Sequence, residues 1–293
     1  MEYLRAPFSS LLLGILWLLH GLPFPWLRVL GAALGRLMFH LARRRRHIAR
    51  VNLGLCFPGL SEEERETLLR RHFIVFAQAL VDHILFWWAS PQRLRRHIHV
   101  EGMQHLVAEA GRPVLILAPH FVGLDAGGVA VALEMRVASM YSNQKNPVFN
   151  RAFLAGRQRF NAPLLLSRQE GARRLLKAMK EGLPLYYLPD MDFGRKESIF
   201  VPFFGVLAAT ITGVSRLVRA SGAKVIPVVS RLTPQGYEVR FLPPWEGFPG
   251  ESVAEDTAFM NRMIETQVLA MPEQYYWLHK RFKTRPAGEP GVY

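Results

Sequence analysis

Between Arg112 and Gly128 the chain reads RPVLILAPHFVGLDAGG, and its apolar positions run together instead of recurring at helical spacing. The run Val114 to Ala118 opens after Gly-Arg-Pro and closes at Pro119, which predicts a short strand buried on both faces. Further along, short apolar runs predict strands over residues 136–141, 162–167 and 183–188. Longer mixed stretches predict helices over residues 147–161 and 171–182. Residues 225–232 and 237–242 read as a closing, hairpin-like pair of strands. Ser61 with Glu64 and Ser252 with Glu255 have the spacing of capping boxes. The first helix runs towards Trp87-Trp88, a pair suited either to a membrane interface or to packing; the second is stopped by Pro272. Helices alternating with short strands predict an α/β fold, a single mixed-sheet domain with crossover helices.

The first 46 residues follow another pattern. Residues 8–42 are apolar with few interruptions, Pro23 and Pro25 divide them, and Arg43-Arg44-Arg45-Arg46 closes them. Residues 8–22 would make a helix of only about 22 Å, short of the ~30 Å hydrocarbon core. In residues 26–42, Arg28, Arg36, His40 and Arg43 fall within about 120° on a helical wheel, which fits an interfacial segment. No small-residue cleavage site closely follows the Leu11–Leu19 core, which disfavours a signal peptide. The expectation is an N-terminal hydrophobic helical anchor over residues 1–46, full span and half-insertion both open, followed by the α/β domain over 47–293. The arginine run would keep that domain on the cytoplasmic side, against anionic headgroups.

Charge narrows the partners. A formal net charge of +14 on a chain that is 50% hydrophobic implies acidic ones: anionic membrane, phosphorylated substrate, acidic protein or nucleic acid. No nucleic-acid module is legible, so nucleic acid is set aside. The single cysteine, Cys56, excludes an intrachain disulfide and has no histidine close in sequence to make it a nucleophile. P-loop, dinucleotide glycine fingerprint, H-E-x-x-H and G-x-S-x-G patterns are missing, and Asp190 and Asp192 lack a third ligand for a metal. No metal or cofactor is expected.

What remains is His120-x4-Asp125. Five residues apart on one helix they would diverge by about 140°. They meet only if His120 sits on the turn after the strand and Asp125 in the first helical turn. Asp125 would then hold one ring nitrogen and leave the other as a general base. The spacing alone equally permits a histidine that merely caps the strand.

Three further stretches carry a family likeness: Pro189-Asp-Met-Asp-Phe-Gly194, Val201-Pro-Phe-Phe-Gly205 and Pro272-Glu-Gln-Tyr-Tyr-Trp-Leu-His-Lys-Arg-Phe-Lys-Thr-Arg-Pro286. With His120-x4-Asp125 they make the chain resemble the bacterial lipid A biosynthesis (late) acyltransferases, relatives of the glycerolipid acyltransferases, from about Leu4 to Tyr293. Some members have Glu in place of Asp125, and a Tyr-Arg-Pro common among them is Tyr141-Ser142-Asn143 here. The resemblance implies a glycerolipid acyltransferase-like fold at the inner membrane, with its catalytic domain on the cytoplasmic face. It implies transfer of a fatty acyl chain from acyl carrier protein to a hydroxyl of a Kdo-bearing, tetra-acylated lipid A precursor. His120 and Asp125 would be catalytic; Arg157, Arg159, Arg168, Asp190 and Asp192 would bind substrate. Arg157 and Arg159 diverge by about 200° on a helix, so one would reach a ligand while the other braces a carboxylate such as Asp190 or Asp192. A thioester is already activated, so no serine or cysteine nucleophile is needed. Donors to the oxyanion would be backbone N–H groups near Val122–Leu124 or an arginine. A glycerolipid acyltransferase and a non-catalytic anionic-lipid binding protein are the alternatives.

Overall fold

The computed structural model describes residues 2–167 and 172–293. Four helices open the chain: α1 (Glu2–Leu19), α2 (Phe24–Leu41), α3 (Arg43–Cys56) and α4 (Glu62–Trp88). They are followed by α5 (Pro91–His97), β1 (Ile98–Glu101), α6 (Met103–Val107), β2 (Val114–Leu117), α7 (Leu124–Glu134) and β3 (Ala138–Tyr141). Next come α8 (Pro147–Arg157), β4 (Leu164–Ser167), α9 (Ala172–Lys180) and β5 (Leu185–Tyr187). The chain then forms β6 (Ser198–Phe203), β7 (Val206–Ile211), α10 (Gly213–Ser221), β8 (Lys224–Thr233), β9 (Gly236–Phe241) and α11 (Val253–Ala270). The box at Ser61 is complete, with both reciprocal bonds formed, and Ser252 accepts from the Glu255 N–H.

Seven strands form one sheet in the order β1-β9-β8-β2-β5-β3-β4. Strands β8, β2, β5, β3 and β4 run parallel, while β9 is antiparallel to β8 and carries β1 parallel to itself. The expected mixed sheet and closing strand pair are therefore present. Strand β2 is central and buried along its whole length. Its alternate side chains feed two cores: Leu115 and Leu117 pack with α11 and the C-terminal segment, Val114 and Ile116 with α7 and the end of α4. The hairpin β6–β7 lies outside this sheet and was not expected from Val201-Pro-Phe-Phe-Gly205. Phe204 and Gly205 both have positive φ, 51° and 74°, the geometry of a tight two-residue hairpin turn, and Glu265 takes the Phe204 N–H at 2.7 Å.

The expected anchor is corrected. Among the described residues no helix is long and apolar enough to cross a membrane. The apolar stretch breaks at the prolines into α1 and α2, and α2 lies against α4 as part of the domain. Gly31 and Gly35 make that approach possible: a Cβ on either would come within 2.6 Å of α4 backbone at Gln78 or Ile74. Arg28, expected on a polar face, is turned inward onto Asp82, which is fully buried and also accepts from the Tyr237 hydroxyl. Arg36, His40 and Arg43 do face out. Among them Trp26, Val29, Leu30, Leu37 and Leu41 are also exposed, as are Phe8, Leu11, Ile15, Trp17 and Leu18 of α1.

Candidate active site

Strands β2 and β5 are adjacent and parallel, with Leu117 opposite Tyr187, and the ladder continues one step as the Ala118 N–H donates to Tyr187 O. Each then runs through an apolar residue and a proline, so His120 and Asp190 arrive at matching places beyond the carboxyl end of the sheet. This is where open α/β sheets gather ligand sites. Asp190 accepts the His120 backbone N–H at 2.9 Å and ring Nδ1–H at 2.7 Å. Burial alone would raise the Asp190 carboxyl; the charge and hydrogen bonds of His120, with Arg281 behind, hold it below its ordinary value. A carboxylate facing Nδ1 fixes the proton there and leaves Nε2 with its lone pair.

The C-terminal segment frames this pair. Tyr276 N–H donates to His120 O, Val122 N–H donates to Gln274 O, and the Tyr276 ring stacks 6.3 Å from the imidazole. His279 Nε2 accepts the Asp192 N–H, so its other nitrogen carries the proton. Burial, with the charges of His120 and Arg281, lowers this ring to about 4 and keeps it neutral. Arg281 is buried and donates to Ala209 O and Thr210 Oγ1. Asn52 of α3 donates to the carbonyls of Trp277 and His279 and accepts from the Tyr293 hydroxyl.

The sequence expectation holds for where His120 and Asp125 lie, on the turn and in the first turn of α7, but not for their meeting. The first turn of α7 points Asp125 towards α4 and α8. There Asp125 accepts from His83 Nε2 at 3.0 Å and Arg157 Nη2 at 2.7 Å. Burial pushes the Asp125 carboxyl up, but the charges of Arg157 and His83 outweigh it and hold the group well below the carboxylate range. Arg157 thus braces a carboxylate, though Asp125 and not Asp190 or Asp192. Arg159 lies beyond the end of α8 and donates to Phe86 O and Ala89 O, capping the carboxyl end of α4. Asp192 accepts from Gly194 N–H and from Thr284 N–H and hydroxyl, fastening the C-terminal segment and leaving little for a substrate. Arg168 lies outside the described residues.

Beside Asp125 an apolar cavity of about 80 Å³ opens between α4, α7, α8 and strands β3, β4 and β5. Trp87, Phe153, Phe160, Ala132, Val137 and Leu165 form much of its wall, and His83, Asp125 and Arg157 are its charged lining. His83 was not anticipated; its one signal is that it interrupts the strongly apolar stretch from Phe73 to Trp88.

The family model described as bacterial lipid A biosynthesis acyltransferase matches residues 1–284. The chain is similar to the lipid A biosynthesis lauroyltransferase of Escherichia coli K12, 36% identical over 286 residues, covering 96% of this chain and 93% of the relative. It is similar to the palmitoleoyltransferase of the same strain at 37% over 286 residues, covering 96% and 92%. The myristoyltransferase of that strain is 32% identical over 269 residues, covering 88% and 81%. Among solved structures, the 1-acyl-sn-glycerophosphate acyltransferase of Thermotoga maritima superposes with a TM-score of 0.39 at 14% identity, over 83% of this chain and 96% of that one.

Proposed function

Because the chain belongs to the bacterial lipid A biosynthesis acyltransferase family, and so is an acyltransferase of lipid A biosynthesis, we propose that it transfers a fatty acyl chain from acyl carrier protein to a hydroxyl of a Kdo-bearing lipid A precursor, with His120 as general base. The observation that carries this reading is the 2.7 Å contact between His120 Nδ1 and the buried Asp190 carboxylate. With that nitrogen occupied, Nε2 takes the acceptor hydroxyl proton as its oxygen attacks the thioester carbonyl. The tetrahedral intermediate then collapses, the carbon–sulfur bond breaks, and the departing thiolate takes the proton back from Nε2. Asp190 stabilises the imidazolium formed between these steps. The N–H groups of Val122 and Leu124 are spent on Gln274 O and Phe121 O, so of these three backbone donors Gly123 is the candidate for the oxyanion, with an arginine as the alternative.

The apolar cavity takes the far end of the acyl chain, since about 80 Å³ has room for a few methylenes. A Cβ on Gly128 would meet only the Tyr186 ring, at 3.9 Å, so Gly128→Leu fits the helix and fills the cavity. It should shift preference to shorter chains, by roughly tenfold against the chain favoured by wild type. The exposed apolar side chains of α1 and α2, with Arg43 and Arg44 exposed at the start of α3, seat the protein on the cytoplasmic face of the anionic inner membrane.

An acyl-transfer assay with acyl carrier protein thioesters, offering the lipid A precursor or lysophosphatidate as acceptor, tests the reading. Transfer to the lipid A precursor, abolished by His120→Ala, is the expected result. Preference for lysophosphatidate would make this a glycerolipid acyltransferase, and binding without transfer would make it a lipid-binding protein.

A further inference from the structure

Three helices wall the apolar cavity, and each gives it one charged side chain: His83 from α4, Asp125 from α7 and Arg157 from α8. His83 Nδ1 lies 2.9 Å from Ala79 O, and Nε2 lies 3.0 Å from Asp125 Oδ2. A carbonyl oxygen and a carboxylate oxygen are both acceptors. A neutral imidazole has a single N–H and would set a lone pair against one of them. Only the imidazolium satisfies both contacts. Asp125 does not supply the missing proton, because its other oxygen accepts from Arg157 at 2.7 Å and the group stays ionised. We propose that His83 is a positioning residue, protonated at neutral pH, whose charge draws Asp125 and through it Arg157 into one clasp that sets the width of the cavity and so the acyl chain length the enzyme prefers. This rests on the reading that the cavity receives the acyl chain.

The groups facing His83 favour its charged form. Burial alone would lower the imidazole; the charge and hydrogen bond of Asp125 outweigh it, with Arg157 opposing, and the ring ends above its ordinary value. From β5 the nearest titratable group is Tyr186, whose hydroxyl donates to Leu124 O. On α4, Phe86 and Trp87 present aromatic rings, and the neighbouring Asp82 is turned to Arg28 and Tyr237. Cavity width is sensitive here because α4 and α8 touch beside the clasp: a Cβ on Gly156 would lie 2.3 Å from Trp87 Cδ1. When His83 loses its proton, one of its two contacts becomes repulsive and the tie of α4 to α7 weakens, while Arg157 still holds α8 to α7.

The test uses the full chain with a series of saturated acyl carrier protein thioesters of even length. His83→Gln keeps a donor but no charge, whereas His83→Lys keeps a charge. Wild type should prefer one length near neutral pH and lose that preference as pH rises through the His83 transition. His83→Gln should have a flat pH profile, a raised KM for the donor, and a preference over the next longer chain weakened by about tenfold. His83→Lys should restore part of the preference. Nitrogen NMR of the wild-type protein should find both His83 ring nitrogens protonated at pH 7, a readout that holds even if a variant misfolds. A neutral ring at pH 7, or wild-type selectivity in His83→Gln, overturns the proposal. If Gly128→Leu shifts chain length and His83→Gln does not, this proposal alone fails; if neither does, the cavity is not the acyl site and both readings fall.

Discussion

One carboxylate, Asp190, holds both the backbone N–H and the ring of His120, whereas Asp125 lines the cavity, and the two should fail differently when neutralised. Asp190→Asn removes the charge that balances the imidazolium. Since a positioned general base contributes about 10²–10⁴-fold, kcat should fall by at least ~10²-fold with little change in KM. Asp125→Asn should act mainly on KM and chain-length preference; a steady-state comparison of the two variants separates the roles. His72 gives a second prediction, on stability. Its ring is fully buried, donates from Nδ1 to Glu273 O, and is lowered by burial to about 4. An unfolded histidine titrates near ~6.5, so between those values the unfolded chain binds more protons. The stabilisation is fully present above about 6.5 and is lost as pH falls through about 4, a change on the order of 3 kcal/mol. Urea midpoints measured between these pH values should fall, and His72→Leu should flatten that slope. The pairing of His120 with Asp190 was legible in principle: Leu-Ala-Pro-His120 and Tyr-Leu-Pro-Asp190 are the same phrase at the ends of two buried strands. The pairing expected for Asp125 was not legible, because spacing along the chain says nothing of which way the first turn of α7 faces.

Among the elements, α2 departs furthest from its sequence pattern. Its apolar residues fitted an interfacial helix, yet Gly31, Gly35, Leu27 and Phe39 are a packing face against α4 and its neighbours. The pattern was ambiguous for a physical reason: a helix between a protein core and a membrane surface is apolar on both sides. Gly35→Leu should cost about 1–3 kcal/mol, the usual range for overpacking, read as a lowered thermal midpoint. Arg28→Met leaves Asp82 buried without its cation and should cost about 3–5 kcal/mol. It follows that deleting residues 1–42 should unfold the domain instead of releasing it from membranes. A soluble, folded and cooperative truncation would contradict the packing of α2.

For the whole molecule, exposed tryptophans on α1 and α2 and a formal net charge of +14 predict how it meets a lipid surface. Trp17→Ser with Trp26→Ser should weaken binding to anionic vesicles while leaving the thermal midpoint near that of wild type, since both side chains are more than half exposed. Raised salt should weaken whatever attraction is long-ranged, because exposed charges are screened over about 8–10 Å. Helix and strand alternation made the α/β class legible, as did the closing pair β8–β9. The strand order was not, since β5 enters between β2 and β3 only after β4 has formed the edge. Such insertion is a property of long-range pairing and leaves no trace in local pattern.

Asn52 finds its carbonyl partner at Trp277 225 residues later in the chain. At translation rates of 5–20 residues per second, that interval is roughly 10–45 s. During it the nascent chain already carries the exposed apolar helices that favour a lipid surface, while the framework around His120 is still missing its last strands of contact. On the reading that these helices seat the protein on a membrane, a ribosome engaged on this message can bring its product there well before that product is able to act. If His120 acts as proposed, activity should begin only with the closing residues, and a chain clipped before Tyr275 should bind anionic vesicles yet transfer no acyl chain.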